Sequence, residues 1–108
     1  MDIKDLTDEM NRFVTSKGWY ANQSARPQTP RNLAISLSLE AAEVLEHLQW
    51  SDNVTDKDKF QGELADVALY LLQLASITGI DLETAVLQKL GTNYKREWDE
   101  KPENGEIK

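Results

Sequence analysis

Two stretches of the chain carry carboxylates at a matched spacing, Glu40-Ala-Ala-Glu43 and Glu63-Leu-Ala-Asp66. Side chains three apart on an α-helix are neighbours, so in helical form each stretch presents an acidic pair on one face. Both pairs sit among apolar residues, where a carboxylate loses hydration and is costly to keep charged unless a positive charge lies near. A divalent cation supplies that charge most simply. Donors that are all oxygen favour Mg²⁺ or Mn²⁺ over zinc. There is no cysteine, which excludes both a thiolate metal site and a disulfide.

Helices must position these pairs, and the apolar periodicity predicts four of them. The first is expected over Asp2 to Ser16, with Ile3, Leu6, Met10, Phe13 and Val14 on one face and Gly18 as its stop. A loop follows to Thr29, which is placed to cap a second helix opened by Pro30 and continuing to about Trp50. The third is expected from near Asp56 to Thr78, closed by Gly79, and the fourth from an Asp81 cap to about Trp98. No segment alternates with period two, so the expected fold class is all-α. On a wheel of about 100° per residue, Leu37, Ala41, Val44, Leu45 and Leu48 form the expected core stripe of the second helix. Glu40, Glu43, His47 and Trp50 adjoin it. The third helix repeats the plan, with Leu64, Val67, Leu71 and Leu74 beside Glu63, Asp66, Tyr70 and Gln73. Packing the apolar stripes together would bring the acids to the edge of that contact.

The chain has 108 residues, enough for one domain with a core of its own. A formal charge of −7 repels a phosphate backbone and argues against a nucleic-acid polymer as partner, while leaving room for a small nucleotide carried with metal. The N-terminus lacks the basic-then-apolar pattern of a secretory signal. The longest apolar run, Val67 to Leu72, falls well short of the roughly 20 residues that a membrane helix needs. No membrane association and a cytoplasmic location are therefore expected. One domain is expected over residues 1–98, followed by a polar, disordered tail over 99–108.

The two acidic pairs, about twenty residues apart, together with the Phe13 to Trp19 segment, Pro30-Arg31-Asn32-Leu33, Trp50 and Tyr70, resemble the MazG-type all-α nucleotide pyrophosphohydrolases, most closely the dCTPase-like branch. The resemblance spans roughly Phe13 to Arg96. It implies that Glu40, Glu43, Glu63 and Asp66 hold Mg²⁺, which Mn²⁺ can replace, and act on the α-phosphorus of a nucleoside triphosphate to release a monophosphate and pyrophosphate. It further implies a base and sugar pocket lined by Trp19, Trp50 and Tyr70, with Lys89, Asn93 and Arg96 on the phosphates. Candidates for reading the base are Asn22, Gln23, Asn32 and His47. Three departures stand out: Leu39 precedes Glu40 where the widest pattern has a second glutamate, the loop from Trp19 to Pro30 is long, and Arg96-Glu97-Trp98 replaces a basic residue followed by Tyr-Pro.

The blander readings are a solvated acidic face, aromatic side chains serving as core or interface packing, and Lys89 and Arg96 complementing a helix dipole. Together they describe a non-catalytic helical interaction protein. A carboxylate di-iron bundle would need two Glu-x-x-His motifs, and the single histidine, His47, has no glutamate three residues before it. The family precedent and the unclaimed Leu69, Leu72 and Ile77 predict a bundle completed by dimerisation, as a homodimer or a homotetramer.

Overall fold

The computed structural model describes residues 1–96, and these form four helices in chain order: α1 (Ile3–Ser16), α2 (Pro30–Glu46), α3 (Lys57–Ile77) and α4 (Leu82–Lys95). No strand occurs among the described residues. Each helix starts where a side-chain oxygen captures a free backbone N–H. Asp2 accepts from Asp5 N at 2.8 Å, Thr29 from Asn32 N at 3.1 Å, Asp56 from Lys59 N at 3.1 Å and Asp81 from Thr84 N at 3.2 Å. Gly18 and Gly79, both at φ 72°, turn the chain out of α1 and α3 through a conformation that penalises any Cβ.

Two helix ends fall short of expectation. α2 stops at Glu46 rather than near Trp50, because the next amides fold back onto carbonyls three residues earlier. Leu48 N donates to Leu45 O at 2.9 Å and Gln49 N to Glu46 O at 3.3 Å. Ser51 Oγ then both donates to Asn53 O and accepts from Asn53 N, which locks the turn. α4 ends at Lys95, and Arg96 takes an extended backbone. Trp98 and the tail 99–108 lie outside the described residues.

α2 packs along α3, α1 crosses α3, and α4 contacts α1. The face that α2 turns inward is not the purely apolar stripe. Leu33 is 2% exposed, and Glu40, Val44 and His47 are half-buried, whereas Ala41, Leu45 and Leu48 face outward. On α3 the inward face carries Glu63, Val67, Tyr70 and the buried Gln73, while Leu64 and Leu71 are exposed. Glu40 and Glu63 are thus drawn into the α2·α3 contact, while Glu43 and Asp66 stay on its solvent side. The apolar core proper is small: Met10, Val14 and Leu72, with Ile3, Trp19, Tyr20 and Leu82 against them. Leu72, expected at a dimer interface, belongs to this core instead. A polar tie joins the same elements, with the Tyr20 hydroxyl donating to Asn11 Oδ1 at 2.6 Å and Asn11 Nδ2 donating to Ser76 Oγ at 2.9 Å.

No single helix among the described residues is long and apolar enough to cross a membrane. α3 and α4 pass that test only as a pair, bent by 102° at their junction.

Candidate active site

The acidic residues come from two helices that run against each other. Glu40 is half-buried on α2, Glu43 lies one turn on and is exposed, and α3 contributes half-buried Glu63 and exposed Asp66. Their proximity registers in Glu40, whose carboxyl is pushed above its usual range. Burial is the main cause, followed by a hydrogen bond with Glu43 and the charges of Glu43, Asp66 and Glu63. Glu40 Oε2 is buried without a hydrogen bond, and Glu63 Oε2 is buried with His47 Nε2 against it. Unsatisfied groups such as the Glu40 oxygen are rare in native interiors and cost free energy unless a partner arrives. The His47 ring that makes this contact with Glu63 stands edge-on to Phe60 at 5.3 Å.

A buried, unsatisfied carboxylate oxygen at Glu40 amid further carboxylates matches what a hard cation needs, so the donor set fits Mg²⁺ in chemistry. Among the described residues, no three acidic or histidine side chains are gathered tightly enough to enclose one ion as they stand. Glu43 and Asp66 are on the solvent side, where their rotamers are free to turn.

Beside the acids opens a cavity of about 780 Å³ between α1, the loop before α2, the start of α2, and α3. Phe13, Trp19, Asn32, Asp66, Tyr70 and Gln73 are among its lining residues. The volume lies within the range of small-molecule sites. Trp19 is anchored edge-on by Phe13 at 5.7 Å, and the Arg26 guanidinium lies over its ring at 5.7 Å. Asn32 is fixed by its Nδ2 donating to Pro27 O at 2.9 Å. Asp66 belongs to both the acidic cluster and the cavity wall, which makes the two one continuous site.

The structure thus brings Glu40, Glu43, Glu63, Asp66 and His47 together, and Trp19, Asn32 and Tyr70 around the adjoining cavity. Other expected residues lie elsewhere. Trp50, beyond the shortened α2, is 90% exposed and does not line the cavity. Asn22 and Gln23 are exposed in the loop. Lys89 and Asn93 sit on α4 and Arg96 just beyond its end, none of them in the cavity lining. Sequence reasoning did not single out Gln28 and Gln73, whose amides pair at 2.6 Å on the cavity wall. The signal was present in Gln73, a polar residue in register with Asp66 and Tyr70 on the face now seen to be buried.

Comparison with known proteins identifies the relatives of the chain. Residues 35–106 match the MazG-like family. The chain is 36% identical to dCTP pyrophosphatase 1 of Rattus norvegicus and to that of Homo sapiens, over 104 residues covering 88% of this chain and 56% of each relative. It therefore spans little more than half the length of these curated relatives. A dATP/dGTP diphosphohydrolase of Salmonella phage PMBT28 is 51% identical over 37 residues, 34% of this chain and 13% of that protein. Among solved structures, a pyrophosphatase from Archaeoglobus fulgidus superposes with a TM-score of 0.71 at 35% identity, covering 85% of this chain and 88% of that one. By sequence and by fold, the chain belongs to the MazG-like family.

Proposed function

We propose that the protein is a Mg²⁺-dependent nucleoside triphosphate pyrophosphohydrolase. It cleaves between the α- and β-phosphates to give a nucleoside monophosphate and pyrophosphate, with a pyrimidine deoxynucleotide such as dCTP as preferred substrate. The observation that carries this reading is the continuity at Asp66, where a cavity of small-molecule size meets a cluster of carboxylates with an unsatisfied buried oxygen at Glu40. The names of the relatives, dCTP pyrophosphatase and pyrophosphatase, support the same reaction.

Glu40, Glu43, Glu63 and Asp66 would hold the ion. When bound, Mg²⁺ (or Mn²⁺) offsets the charge of the phosphates and lowers the pKa of the attacking water. His47 holds the Glu63 carboxylate in place through the contact of its Nε2. Trp19 and Tyr70 offer aromatic faces to the base and sugar, and Asn32, fixed to Pro27, offers its remaining polar atoms at the cavity mouth. Lys89, Asn93 and Arg96 reach phosphate only from a second subunit, as in a homodimer or homotetramer. A nucleotide-pool substrate makes the cytoplasm the working location.

The second reading, a non-catalytic helical interaction protein, draws on the exposed Leu45, Leu64 and Leu71. A panel of ribo- and deoxynucleoside triphosphates with Mg²⁺, scored by product chromatography, separates the two. The enzyme reading expects monophosphate and pyrophosphate, with dCTP ranked first. Absence of turnover across the panel, together with no thermal stabilisation by Mg²⁺ or Mn²⁺, refutes it and leaves the interaction module.

A further inference from the structure

Gln73 is the one polar residue that is buried among the described residues, at 4% exposure, and it lies on the wall of the cavity. Its position on α3 is seven residues from Asp66, about 10 Å of helix rise. That separation is comparable to the distance from a nucleotide's phosphate to the far edge of its base. With phosphates at the acidic end, Gln73 stands where the base edge would arrive.

The orientation of its amide follows from a chain of hydrogen bonds with a fixed start. The backbone carbonyl of Arg26 can only accept, and Gln28 Nε2 donates to it at 2.6 Å. Gln28 must therefore present Oε1 to its other neighbour, and Gln73 Nε2 donates to that oxygen at 2.6 Å. Flipping the Gln73 amide would set two carbonyl oxygens against each other; flipping Gln28 as well would set its carbonyl against that of Arg26. Burial pushes the Tyr20 hydroxyl above its usual range, and Gln73 offsets part of that push, as a hydrogen-bond donor does. The amide nitrogen is thus spent inside the protein. Among the described residues no hydrogen bond reaches Gln73 Oε1, the polar atom left for a ligand.

We propose that Gln73 is a base-selecting residue, its Oε1 accepting from the exocyclic amino group of cytosine or adenine and disfavouring bases that carry an oxo group there. This rests on the cavity being the base pocket of the function proposed above. An oxo base brings a second acceptor against Oε1, and the Gln28–Arg26 anchor prevents the amide from turning to meet it. A site whose polar groups are held in one orientation rejects the mismatched ligand far more strongly than a free side chain does. Gln28 is the positioning residue, since it acts through Gln73.

The test compares matched nucleotides that differ in this one group, dCMP with dUMP and dAMP with dIMP, binding to the full chain in the presence of Mg²⁺ by calorimetry. The wild type is expected to favour the amino member of the pair that fits its pocket by about tenfold or more. In Gln73→Met, shown folded by circular dichroism, that ratio should shrink to about threefold or less. Gln28→Met gives a second reading, because releasing the anchor lets the Gln73 amide turn and should also narrow the ratio. Equal binding of amino and oxo members by the wild type overturns the proposal, as does a ratio that survives both substitutions or binding of none of the four. Amino preference in binding without pyrophosphate release from any triphosphate leaves base selection standing and defeats the hydrolase reading alone.

Discussion

Glu40 carries the clearest consequence of the site's electrostatics. Its carboxyl is pushed up from an ordinary value of 4.5, chiefly by burial and then by its acidic neighbours, so the folded protein binds that proton more tightly than the unfolded chain does. Stability therefore falls as pH rises from about 4.5 through the raised folded value, and levels off above it. Bound Mg²⁺ removes the cause by giving the carboxylate a cation. The expected result is a denaturation midpoint that declines over this window without metal and holds level with saturating Mg²⁺, while Glu40→Gln abolishes the decline. A metal-free midpoint that rises over the same window would contradict this picture. His47 belongs to the same scale, because its contact with Glu63 makes it an orienting partner of an acid, not a wall of the base cavity.

At the scale of elements, α2 holds both ends of the site, with Leu33 and Asn32 near its start and Glu40 and Glu43 further along. Leu33, 2% exposed, wedges the start of α2 into the protein. Leu33→Ala should cost about 2–5 kcal/mol in denaturant unfolding, whereas loss of the cap in Thr29→Ala should cost about 1 kcal/mol. Equal, small effects from both would mean that α2 is not anchored there. The helices were legible in the sequence, as were the caps Thr29 and Asp81, whereas Asp2 and Asp56 read there as helix starts and proved to be caps. The acidic pairs were legible too, from spacing alone. Which stripe faces inward was not, because a wheel sorts residues by hydropathy, and here half-buried carboxylates displace leucines from the α2·α3 contact. The end of α2 was hidden for a related reason: a turn of three-residue hydrogen bonds after Glu46 leaves the apolar period of Leu48 and Trp50 intact while ending the helix. The Gln28–Gln73 pair joins residues 45 apart, beyond the reach of any local pattern.

The whole molecule is incompletely closed. α4 buries no residue fully, and Leu45, Leu64, Leu71, Leu87 and Leu90 are all exposed. That much apolar surface on so small a core is what self-association covers. Sedimentation at micromolar concentration should give a dimer or tetramer, and Leu64→Glu should shift it toward monomer. A wild-type monomer would contradict assembly, and with it the delivery of Lys89 and Asn93 from a partner subunit.

The central claim, that the carboxylates shared between α2 and α3 drive hydrolysis of a nucleoside triphosphate, is tested most directly by pyrophosphate release from dCTP with Mg²⁺ in wild type and Glu63→Gln. The substitution keeps the shape of the side chain and removes its charge beside a buried oxygen. Wild-type turnover reduced more than about a hundredfold in the variant is the predicted result, given that partners of metal ligands alone are worth 10–100-fold. Equal rates in the two proteins would contradict it.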